Sequence, residues 1–122
     1  MKSNVAVLAE PAAAMSAPEV ITGLSALAHE TRLAIFRLLV RRGADGERAG
    51  ELARLLEVPP QTMSFHLKEL THAGLLSSRR HGRNTFYAVD FVHAQRLIGY
   101  LTESCCADAA PSTASRRRNQ SG

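Results

Sequence analysis

The sequence predicts a mainly α-helical domain carrying one small β-hairpin. Three observations lead there. Apolar residues recur at helical spacing along most of the chain between Glu19 and Cys106. Two short helical stretches meet at the break Val58-Pro59-Pro60. Behind them, Thr85, Tyr87 and Val89 alternate with Phe86 and Ala88, which is the rhythm of a strand.

The first stretch, "EVITGLSALA" from Glu19, spaces Val20, Leu24 and Leu27 as one helical face. It is short, so a partner surface must supply much of its stability. In "ETRLAIFRLLVRRG" only Arg37 is polar between Leu33 and Val40, which predicts a central helix buried on most sides. Gly43 stops it, and "GADGERAG" reads as a loop. A short helix over Glu51 to Glu57 then turns Leu52, Leu55 and Leu56 inward. Pro60 opens the next helix, which runs to about Ala73 before Gly74 ends it. Two short helices in tight succession after a longer one form a helix-turn-helix. "LLSSRRHGRNTFYAV" predicts a hairpin with its tip near Arg80 to Arg83. Asp90 is a suitable cap for a last helix, on which Phe91, Ala94, Ile98, Leu101 and Cys105 form a stripe suited to helix pairing.

At 122 residues the chain is a single domain with a modest formal charge of +4. Residues 1–17 read as an Ala-rich flexible leader, 18–106 as the folded domain, and 107–122 as a disordered tail holding Arg116, Arg117 and Arg118. Without that tail the chain is nearly neutral, so any nucleic-acid contact must come from a local basic feature. No run approaches the roughly 18 apolar residues of a membrane span. The opening "MKSNVAVLAEPAAAMSAPE", with one lysine and Glu10, makes a poor secretory signal, and a cytoplasmic protein without membrane contact is expected.

The helix over residues 60 to 73 separates two faces. Met63, Leu67 and Leu70 belong inward, with His66 beside them as a packed histidine. The other face carries Gln61, Phe65, Lys68 and His72, flanked by Thr62 and Ser64. These are the groups a DNA-reading helix uses: an amide for adenine, hydroxyls for bases or phosphates, an aromatic edge for a thymine methyl, and an amine for phosphate. An aromatic on a polar face asks for such an explanation, although lone exposed aromatics are common. Arg79, Arg80 and Arg83 crowd the hairpin tip, where they could enter a minor groove or grip the flanking backbone. Directly behind a helix-turn-helix, such a finger reads as a wing.

From roughly Ser25 to Cys106 the chain resembles the winged-helix ArsR/SmtB family of metal-sensing repressors. "LSALAHETRLAIFRLL" and "SFHLKELTHAGLLSSRRHGRNTFYAV" carry the resemblance, most specifically over Ser64 to Leu75. It implies a homodimer built on the first and last helices, bound to operator DNA until an inducer releases it. Many relatives carry a Cys-x-Cys pair at the start of the helix-turn-helix, where this chain has "AGELARLLEV". Zinc-type members use an Asp-x-His and a second pair on the last helix, whereas Asp90 and His93 are at the wrong spacing. What remains is Cys105 and Cys106, similar to arsenic- and antimony-responsive members with inducer sites at the end of the last helix. Some of those use a third cysteine, which residues 107–122 lack.

Adjacent thiols suit As(III) or Sb(III) as inducer. Thiolate is the softest side-chain ligand, and neighbouring cysteines supply two sulfurs with almost no loop-closure cost. On a regular helix the two would diverge by about 100 degrees, so the helix end must fray or turn to bring them together. A third donor could be hydroxide, a cellular thiol, Glu103 or Ser104. Cys105 alone could be a packing residue on the Phe91 stripe; Cys106 lies off it. The alternative expectation is a redox- or persulfide-sensing repressor using the same pair, disfavoured by the strained ring that adjacent cysteines close. A DNA-binding module whose cysteines have no effector role is a further alternative. An enzyme is not expected, because the chain has neither an arsenate-cradling loop nor a Cys-x-x-Cys at a helix start.

Overall fold

The computed structural model describes residues 15–109. Most of the expected leader, and the tail with Arg116, Arg117 and Arg118, lie outside them. The order is α1 (Ala17–Leu27), α2 (Glu30–Arg42), a 3-10 turn (Gly43–Asp45), β1 (Glu47–Arg48), α3 (Ala49–Leu56), α4 (Pro60–His72), β2 (Leu76–His81), β3 (Asn84–Val89) and α5 (Phe91–Thr102). Among the described residues, five helices and a small antiparallel sheet make a winged helix-turn-helix, as the sequence predicts.

The first helix begins earlier than its apolar pattern suggests. Ser16 caps it by accepting from Glu19 N, and the Glu19 carboxylate returns the bond to Ser16 N, a capping box. Pro18 fits the first turn, where its missing N–H costs nothing. The buried face also differs: Val20, Gly23 and Ala26 point inward, while Leu24 is 40% exposed. Small residues are needed because α1 crosses α5 closely. A Cβ added at Gly23 would meet Leu97 Cδ1 at 2.7 Å.

The core gathers Ile35 and Leu39 of α2, Leu52 of α3, and Met63, Leu67 and Leu70 of α4 around Leu75. The expectation that α2 is buried on most sides is not met. Only Ile35 and Leu39 are buried, and Leu33 and Val40 stand out in solvent. On the Val40 side an open groove runs along α2, lined by Phe36, Arg37, Leu38, Val40 and Leu56. On α3, Ala53 takes the inward place expected of Leu55, which is exposed.

The segment expected to be a loop contains β1, which pairs antiparallel with β3 through Glu47–Tyr87 and Arg48–Phe86. Two residues carry no periodicity, so the strand was invisible to pattern. Gly46 makes it possible: its φ is 70°, and a Cβ there would lie 2.1 Å from Tyr87 O. Gly46→Ala is therefore expected to cost roughly 1–3 kcal/mol from backbone strain, before the clash is counted. Thermal unfolding followed by circular dichroism checks it, with a midpoint lowered by several degrees.

β2 and β3 form the hairpin in the order β1-β3-β2, with His81 opposite Asn84 and a tight turn at Gly82-Arg83. Asp90 caps α5 by accepting from His93 N. Among the described residues, no helix is long and apolar enough to cross a membrane.

Candidate DNA-reading face and thiol pair

The helix-turn-helix turn is made without glycine. Glu57 ends α3 in the left-handed region at φ 55°, and Val58 N reaches back to Ala53 O. Pro59 and Pro60 then launch α4, whose first turn has no side-chain cap. The backbone N–H groups at that end are thereby available to an anion such as a phosphate.

The two expected faces of α4 are present. Met63, His66, Leu67 and Leu70 are buried, and His66 is the packed histidine expected. Gln61, Thr62, Ser64, Phe65, Lys68 and His72 are all exposed. Phe65 keeps 55% of its surface in solvent, with its ring edge against His66. The fold thus gathers amide, hydroxyl, aromatic and amine groups on one convex helix face beside the wing. If Lys68 holds one phosphate, Lys68→Ala should weaken binding to all sequences alike. The slope of log affinity against log salt should fall by about 1, measured by anisotropy titrations at several salt concentrations.

The three wing arginines separate into two kinds. Arg80 and Arg83 are exposed at the tip. Arg79 is exposed too, but it also donates to Asp45 O at 3.0 Å and lies 4.8 Å above the Phe86 ring centroid. It thereby also ties the wing to the 3-10 turn. The usable clue in the sequence was hairpin register, which puts Phe86 directly opposite Arg79.

α5 ends at Thr102, before the cysteines, so the stripe from Phe91 does not reach Cys105 as a helix. Thr102 Oγ1 donates back to Ile98 O, a bond that competes with helix continuation. Beyond it the backbone alternates, with Ser104 at φ 62° and Cys106 at φ 67°. Successive turns close through Cys105 N to Thr102 O and Ala107 N to Ser104 O. The required convergence follows: both thiols are exposed and their sulfurs lie 3.4 Å apart. Among the described residues, no group of three or more His, Cys, Asp or Glu side chains is gathered for a metal ion. Glu103, adjacent in sequence, completes no such set.

Residues 27–79 match the family described as "Helix-turn-helix domain". The chain is 45% identical over 53 residues to YdfF of Bacillus subtilis, described as an uncharacterized HTH-type transcriptional regulator, and spans only 24% of it. It is 37% identical over 98 residues to the biofilm growth-associated repressor of Agrobacterium fabrum, covering 80% of each chain. An ArsR-like transcriptional regulator from Rhodococcus sp. RHA1 superposes with a TM-score of 0.64 at 27% identity, over 84% of this chain and 89% of that one. A possible transcriptional regulator for arsenical resistance superposes at 0.58 with 26% identity, over 72% and 96%.

Proposed function

This chain belongs to the ArsR family of winged helix-turn-helix transcriptional regulators, and from that premise we propose a metalloid-responsive repressor. It binds operator DNA as a homodimer and is released when As(III) or Sb(III) binds Cys105 and Cys106.

The observation that carries the inducer is the convergence of the two sulfurs. The two exposed sulfurs, 3.4 Å apart, are close enough to meet on one thiophilic ion. A solvent molecule or a small thiol completes three donors. Similarity to a possible regulator for arsenical resistance supports the same choice.

Dimerisation is supported by the apolar surface of the first and last helices. Ile21 and Leu24 on α1, and Val92, Ile98 and Leu101 on α5, are 40–66% exposed. Such a stripe is costly to leave in water and suits a second copy of the same chain. Gln61, Thr62, Ser64 and Phe65 then read bases or sugar–phosphate while Lys68, Arg80 and Arg83 hold backbone, with Arg79 steadying the wing. Ion capture just beyond α5 changes the segment that leaves the dimer helix, and the spacing of the paired reading heads follows it.

Arsenite or antimonite titrated into a protein–operator complex, read by fluorescence anisotropy, tests this. Release at about one ion per subunit is expected. Operator still bound at saturating metalloid would contradict the proposal. Release by oxidant or polysulfide alone would favour the redox reading instead, although adjacent Cα atoms at about 3.8 Å are closer than the usual disulfide range of about 4.4–6.8 Å.

A further inference from the structure

The recognition helix is joined to the rest of the domain by a polar link among otherwise apolar contacts. His66 is 5% exposed, the one buried polar side chain among the described residues. Arg32 NH1 lies 3.1 Å from His66 Nδ1, and Arg32 Nε donates to Ala26 O at 2.7 Å. Ala26 is in the last turn of α1, Arg32 in the first turn of α2, and His66 in the middle of α4. One guanidinium therefore ties a proposed dimer helix to the proposed reading helix.

The chemistry of this link fixes a protonation state. Guanidinium only donates, so His66 Nδ1 must accept and the imidazole is neutral, with its proton on Nε2. The ring of His29 lies 4.7 Å from that of His66. His29 Nδ1 is itself an acceptor, capping α2 by receiving Thr31 N at 3.1 Å. From the start of α2, then, His66 faces the Arg32 guanidinium and the imidazole of the N-cap residue His29. From α4 itself Glu69 supplies the opposing charge.

We propose that Arg32 and His66 form a proton-sensitive clamp that positions α4 for DNA, closed while His66 is neutral and opened when it gains a proton. The clamp rests on the reading of α4 as the DNA-contacting helix. A proton on Nδ1 removes the acceptor and places two cations in contact. Arg32 has somewhere to go: an open cavity between α1 and α4 has Arg32 and Glu69 on its wall. Freed of its tie, α4 keeps its apolar packing but loses its fixed angle to α1.

Burial, then His29, then Arg32 hold the His66 pKa below its ordinary 6.5, against the pull of Glu69. Below that ordinary value the unfolded chain binds more protons at this site than the folded one. The clamp's contribution is thus complete above 6.5 and is lost as pH falls through the lower folded value.

Operator affinity measured from pH 7.5 to pH 5 at fixed ionic strength tests the clamp in wild type, His66→Gln and Arg32→Lys. Wild type should lose affinity by about tenfold or more on acidification. His66→Gln keeps an acceptor for Arg32 and cannot titrate, so it should bind near wild-type strength at pH 7.5 and lose nothing in acid. Arg32→Lys, with a point charge in place of a two-armed fork, should be weakened already at pH 7.5. As a measurement independent of any variant, NMR of the wild-type protein should show the Arg32 Nε–H signal shifting with the same midpoint as the His66 ring. Parallel pH profiles in wild type and His66→Gln, or a His66 titration that leaves Arg32 Nε–H unmoved, would overturn the clamp. Failure to bind operator at any pH would overturn the DNA-reading role of α4 instead, and the NMR titration would still decide the clamp.

Discussion

Serine at both Cys105 and Cys106 should leave operator affinity within about twofold of wild type while abolishing release by metalloid. Both side chains are exposed and lie beyond the last turn of α5, so neither supports the core. Serine keeps the size and the local hydrogen-bonding capacity but removes the soft donor. In the wild-type protein the coupling should be of the usual allosteric size, about 1–3 kcal/mol, or roughly 5- to 150-fold in operator affinity. Single variants separate ligation from packing: if both sulfurs are ligands, each single change should weaken the response. A double variant that still releases DNA on arsenite addition would place the inducer site elsewhere.

The second large effect is expected on the reading face. Gln61→Ala combined with Phe65→Ala should reduce discrimination between operator and random DNA by roughly 30-fold or more, taking about 1–3 kcal/mol for each base-edge contact. Both residues are exposed, and the helix beneath them is held by Met63, Leu67 and Leu70, which are buried. Thermal stability should therefore change little, and the loss should be confined to specific binding. Competition anisotropy with operator and scrambled duplexes separates the two quantities. Equal losses on both duplexes would mean that these side chains contact only the backbone.

The helix-turn-helix was legible because its punctuation is chemical. Pro60 can open a helix but not continue one, Gly74 can close it at φ 85°, and the spacing of Met63, Leu67 and Leu70 fixes the inward face. The hairpin was legible from alternation. The terminal helices were only half legible, since an apolar residue facing a partner has the same periodicity as one facing its own core. Leu24 points outward and Gly23 inward because the α1–α5 crossing demands a small residue, which a count of hydrophobic positions scores as nothing. The early end of α5 was hidden as well: the apolar stripe continues to Leu101, while the turn beyond it depends on left-handed backbone at Ser104 and Cys106. The contacts of Arg79 and Arg32 left no sequence signal of their own. Their partners, the Asp45 carbonyl with the Phe86 ring and the Ala26 carbonyl with His66, are brought near only by the tertiary fold.

Coupling between the thiol pair and the reading heads is a reciprocal quantity, which gives it a direct measurement. Arsenite affinity should be determined twice by calorimetry, once for the DNA-free protein and once for the protein saturated with operator. The expected result is weaker arsenite binding in the operator complex, by the same factor that arsenite weakens operator binding. Identical arsenite affinity in the two states would contradict the account, because an ion that binds both states equally shifts neither.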